Sequence, residues 1–73
     1  MKTKDLLEKI DGTLYKTTLD HKKADRKRLE EAGYQNDANA VKCSIAGYVQ
    51  ALRDCGVITE RERQKLFIYY GTV

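Results

Sequence analysis

Glycines at positions 12, 33, 56 and 71 each close a stretch rich in helix-forming residues, and no proline occurs anywhere in the chain. A glycine just past the last periodic residue is a common way to end a helix, because the left-handed backbone there is strained for any residue with a Cβ. These stops cut the chain into about four pieces, each long enough for a short helix. With no internal repeat, linker or low-complexity tract, residues 1–73 are expected to form one domain. The predicted fold is all-α, a small three- or four-helix bundle closed by a C-terminal αα-hairpin. A hydrophobic content of 41% is too high for a disordered segment. At 73 residues the core is scarce, and a deep cleft with a supporting layer around it is hard to accommodate.

The first piece has Thr3 as N-cap, Asp5 in the first turn, and Leu6, Leu7 and Ile10 on one side. In the second, Leu14 to Leu19 carries strand-like residues, whereas Thr17 and Asp20 stand in capping-box spacing. Residues 13–20 are thus readable as extended, irregular or helical, and the helix is predicted from about Thr18 to Ala32. The third starts near Asn36 or Asp37 and runs to Cys55, with Val41, Ile45, Tyr48, Leu52 and Cys55 recurring every three or four residues. Beside that stripe Ala40, Ser44, Gly47 and Ala51 fall within roughly 60° of one another at 100° per residue. Such small residues predict a second packing face and make helix three central. A mid-helix glycine costs about 1 kcal/mol relative to alanine, and close packing would justify it. In the fourth piece Thr59 and Glu62 have capping-box spacing, and Val57 and Ile58 are the apolar residues of the tight connection.

Two surface features carry the functional expectations. The run from His21 to Arg28 holds Lys22, Lys23, Arg26, Lys27 and Arg28, which could contact phosphates or an acidic partner. Against this, Asp25 lies inside the run, and Arg26 with Glu30 and Lys27 with Glu31 stand at i,i+4, so the run also reads as a solvated helix face. Net charge is only +3, so most of the positive charge can be neutralised within the molecule, a mild bias toward acidic partners and not a nucleic-acid signature. The second feature is the run Leu66 to Tyr70, which surrounds a whole helix circumference that one core face cannot bury. Leu66, Phe67 and Tyr70 can face inward. Ile68 then projects outward beside Arg61, Gln64 and Lys65, and Ile68 with Tyr69, Arg61 and Lys65 forms either a partner-binding surface or a tail tucked against the domain.

A DNA-reading helix-turn-helix is disfavoured, since Glu62 and Lys65 stand where the second helix should place apolar residues. Catalytic signals are sparse. His21 is the only histidine and has cations around it instead of a carboxylate to orient it, so it reads as a surface residue. Cys43, on the polar side of helix three, lacks a histidine or a CxxC partner for nucleophile or metal chemistry. Cys43 and Cys55 lie roughly 18 Å apart on one helix and cannot bridge. No catalytic, metal or cofactor site is therefore expected, nor a small-molecule substrate. Met1 to Asp5 lacks the apolar region of a signal peptide and no apolar run is long enough to span a membrane, so the expected compartment is the reduced cytoplasm.

The segment Gly47-Tyr48-Val49-Gln50-Ala51-Leu52-Arg53-Asp54-Cys55-Gly56-Val57-Ile58-Thr59-Glu60-Arg61-Glu62-Arg63 resembles the C-terminal part of small helical proteins of bacterial phages and mobile elements. The resemblance implies an intracellular bacterial or phage setting, in which such proteins act as regulators or as inhibitors of host defence, anti-CRISPR proteins among them. The readings meet in a non-catalytic module that binds another protein or itself, with a nucleic-acid-associated factor using the basic run as the alternative.

Overall fold

The computed structural model describes residues 3–71, and Met1, Lys2, Thr72 and Val73 lie outside the described residues. Four helices follow one another: α1 Thr3–Ile10, α2 Leu14–Glu31, α3 Gln35–Asp54 and α4 Glu60–Gly71. The all-α bundle anticipated from the sequence is the fold, and no strand occurs among the described residues. Gly12, Gly33 and Gly56 end α1, α2 and α3 with φ of 76°, 85° and 78°. Gly71 breaks that pattern, because it is still helical and buried as the last described residue of α4.

Helix α2 starts four residues earlier than predicted. Thr13, in extended conformation, is its N-cap, with Oγ1 accepting from the Lys16 amide at 3.3 Å. The same hydroxyl donates to the Ile10 carbonyl, so one side chain ends α1 and begins α2. Thr17 is left inside the helix, its hydroxyl donating back to the Thr13 carbonyl. Capping at α4 follows the expected reciprocal box: the Thr59 amide donates to Glu62 Oε1 at 2.8 Å and the Glu62 amide to Thr59 Oγ1 at 3.2 Å.

Leu6 and Ile10 of α1, Leu19 of α2, Ile45, Val49 and Leu52 of α3, and Leu66 and Tyr70 of α4 form one core, with Ile58 from the α3–α4 connection. The stripe of α3 is rotated from the expected one: Ala38, Ile45, Val49 and Leu52 are buried, Val41 and Tyr48 are half-buried, and Cys55 is exposed at the C-cap. The expected second packing face does not exist. Ala40, Ser44, Gly47 and Ala51 are all exposed, and a Cβ built on Gly47 would meet nothing within 4 Å. A bundle of this size covers α3 from one side only. Its partners there are α2 and α4, whereas α1 packs on α2 and α4 and not on α3.

Candidate functional site

Tyr70 organises the end of α4. Its ring is fully buried, its hydroxyl donates to Asp20 Oδ1 at 2.9 Å, and its carbonyl accepts from Arg26 Nε at 3.2 Å. Arg26 is itself buried and reaches Glu30 Oε1 at 2.9 Å, so its guanidinium satisfies a carbonyl near the end of α4 that no later turn of the described helix takes up. Burial, then the nearby Asp20 carboxylate, pushes the Tyr70 phenol well above its ordinary range, which keeps the donor protonated. Desolvation pushes the Asp20 carboxyl up, but hydrogen bonds from Lys16 and Tyr70 outweigh it and hold Asp20 below its ordinary value.

The basic run is therefore used largely inside the molecule. Lys22 Nζ bonds Ser44 Oγ at 2.6 Å and lies 5.9 Å from the Tyr48 ring, joining α2 to α3. Lys23 Nζ sits 3.8 Å from the centroid of the Tyr69 ring, and Tyr69 meets Tyr70 edge to face at 4.8 Å. Arg28 pairs with Asp25 at 3.0 Å. The expected Arg26–Glu30 pair forms, whereas among the described residues Lys27 and Glu31 do not pair. Lys27 and His21 remain exposed. What the sequence presents as a cationic patch is mainly the set of side chains by which α2 grips α3 and α4.

Held in this way, Tyr69 forms part of a groove of about 530 Å³ between α1 and α4. One wall is Thr3, Lys4, Leu7 and Glu8, which fall on a single side of α1 because they recur at three- and four-residue intervals, with Asp11 just past the end of the helix. Opposite stand Lys65, Ile68 and Tyr69, with Lys16 of α2 at one end. Ile68 is 56% exposed. Leu7 also touches the core, so it joins the groove to the interior. Arg61 lies one turn before Lys65 on the same face of α4 and borders a smaller adjoining hollow with Thr59, Glu62 and Lys65. The structure thus gathers Ile68, Tyr69 and Lys65 into one groove, continues them to Arg61, and adds the α1 wall that sequence reasoning missed. Only a tertiary contact puts α1 there, so no local pattern could have signalled it.

Glu62 fixes that contact. Although charged, it is buried at the inward position where sequence reasoning marked the lack of an apolar residue. Lys9 Nζ reaches both its oxygens, at 3.0 and 3.1 Å, tying the end of α1 to the start of α4. The Thr59 amide, helped by Lys9 and opposed by burial, holds the Glu62 carboxyl below its ordinary value.

Leu14 and Tyr34 are the other large apolar side chains left exposed, each beside an interhelical turn. Both cysteines are free and exposed, and no group of three or more His, Cys, Asp or Glu side chains among the described residues is placed to hold a metal ion. No described helix is long and apolar enough to cross a membrane. Comparison of the chain with protein families, curated proteins and solved structures found no match.

Proposed function

We propose that this chain is a non-catalytic module that binds another protein in the cytoplasm through the α1–α4 groove. In the phage or mobile-element setting implied by its resemblance, it acts as a regulator or inhibitor of a host system. The observation that carries the reading is Ile68, more than half exposed on the lip of an apolar groove whose aromatic wall, Tyr69, is braced by Lys23 and Tyr70. An apolar anchor, an immobilised aromatic ring and flanking Arg and Lys side chains have the composition of interface centres. The basic run supports nucleic-acid binding less, because Lys22, Lys23 and Arg26 already have internal contacts.

The test compares Ile68→Glu with a Lys27→Gln, Arg28→Gln double variant. These changes touch exposed positions and spare Tyr69, Lys23 and Arg26, which support the fold. Partner capture from the source cell should be lost in the first variant and kept in the second, with circular dichroism of both unchanged. The opposite result would move the interface to α2, and salt-sensitive binding of generic duplex would then make it a nucleic-acid surface. Concentration-dependent sedimentation that Ile68→Glu abolishes would make the partner a second copy of the chain.

A further inference from the structure

Resting on that reading of the groove, we infer that its occupant is an amphipathic helix of the partner that turns an acidic flank toward Arg61 and Lys65. Shape is the first argument. The groove is concave and runs along α1 from Thr3 to Asp11 just beyond its end, about two helical turns. A second copy presenting the same concave face would enclose a void instead of filling it, whereas a helix with apolar residues at i, i+3 or i+4, and i+7 is convex and matches that length. The second argument is charge. On the α1 side Lys4, Glu8 and Asp11 carry both signs and have no ion-pair partner among the described residues, and Lys16 at the end of the groove is paired with Asp20. On the α4 side Arg61 and Lys65 have no ion-pair or hydrogen-bond partner among the described residues, although Glu60, Glu62 and Arg63 around them are all paired. The unpaired charge of the α4 wall is therefore cationic and its two groups lie one turn apart, the spacing that Glu or Asp residues at i and i+4 of a docked helix would meet.

Two lactam-constrained helical peptides test this, each with leucines at i, i+3, i+4 and i+7 and glutamines on one flank. One carries glutamates on the other flank, and its counterpart carries lysines there. Fluorescence anisotropy at low salt should show the glutamate peptide binding at least tenfold more tightly than the lysine peptide. The Arg61→Glu, Lys65→Glu double variant should invert that preference, and Ile68→Glu should weaken the glutamate peptide at least tenfold while leaving the far-ultraviolet spectrum unchanged. The inversion is the decisive readout, since mere loss of fold weakens both peptides and cannot reverse their order. Equal binding of the two peptides, no inversion, or no binding of either overturns the acidic-helix occupant. In that event the broader reading still stands if Ile68→Glu removes partner capture, and falls if it does not. A dimer in sedimentation that Ile68→Glu dissolves would also overturn the helix occupant, in favour of a second copy.

Discussion

Replacing Gly47 by alanine should stabilise the protein, although the small-residue stripe in the sequence points the other way. The structure decides the sign. Gly47 is in the interior of α3, its φ is not positive, it is exposed, and an added methyl group would meet no atom within 4 Å. Only the intrinsic term is then left: alanine is favoured over glycine in a helix interior by about 0.8 to 1 kcal/mol, chiefly because the unfolded chain has less freedom to lose. For a domain of this size, 1 kcal/mol corresponds to a rise in Tm of about 4 to 8 °C. The paired control is Gly56→Ala. Gly56 also has open space around it but has φ of 78°, so an alanine there is forced into the left-handed region at a cost of roughly 1 to 2 kcal/mol. Thermal melts followed at 222 nm should therefore move up for Gly47→Ala and down for Gly56→Ala. An unchanged or lowered Tm for Gly47→Ala, with the control behaving as stated, would show that another surface approaches α3 at Gly47, and the one-sided burial of that helix would be wrong.

Leu52→Ala, at a position 5% exposed in the core, should cost about 2 to 5 kcal/mol and come close to unfolding the domain; a melt within a couple of degrees of the parent would remove Leu52 from the core. Thr13→Ala should cost about 1 kcal/mol through loss of the α2 cap, whereas Thr17→Ala should be nearly neutral; equal effects in urea unfolding would return the cap to Thr17. Acid should weaken the fold through three depressed carboxyls: Asp20, where desolvation is outweighed by hydrogen bonds from Lys16 and Tyr70, Glu60, held at about 2 by Arg63 first and then by Gln64 and Arg53, and Glu62, held below 4.5 by the Thr59 amide and Lys9. Because the folded values lie below the unfolded ones, their contribution is complete above about pH 4.5 and is lost as pH falls toward 2. Urea midpoints should drop across that window and drop less in Glu62→Gln, and a pH-independent midpoint would contradict all three assignments.

Much of the fold was legible because local chemistry and tertiary structure agree at particular residues. Gly12, Gly33 and Gly56 end helices where the left-handed backbone favours glycine, and Thr59 with Glu62 forms its box within four residues of chain. The start of α2 was misplaced because two threonines compete. Thr17 has the better sequence spacing, with Asp20 three residues on, but Asp20 is taken by Lys16 and the Tyr70 hydroxyl, and Thr13 is held by the Ile10 carbonyl. The small stripe misled because periodicity reports which residues share a side of a helix and not whether anything covers that side. The candidate site was half legible: the excess of apolar residues between Leu66 and Tyr70 marked Ile68 and Tyr69. Their opposite wall depends on Lys9 meeting Glu62 across 53 residues of chain, which no local pattern encodes.

The same magnitudes bound what the groove can do. Burying an isoleucine side chain completely is worth about 1.5 to 3 kcal/mol, so covering the exposed part of Ile68 yields roughly 1 to 2 kcal/mol. A micromolar complex needs about 8 kcal/mol, and Ile68 alone falls far short of it. The remainder has to come from Leu7 and Tyr69, from pairing of Arg61 and Lys65, and from how little ordering the site requires on binding. In this last respect the basic run and the apolar run act as one unit. Lys23 against the Tyr69 ring, Arg26 on the Tyr70 carbonyl and Asp20 on the Tyr70 hydroxyl fix the wall of the groove before any partner arrives. Loss of Lys23 should consequently weaken binding without Lys23 touching the partner, and the effect should be a faster dissociation rate: association is governed by the charges on the groove, while retention depends on the ring staying in place. A Lys23→Met variant that kept its helical spectrum and bound the glutamate peptide with unchanged dissociation kinetics would show that Tyr69 holds its position unaided and would separate the two runs again.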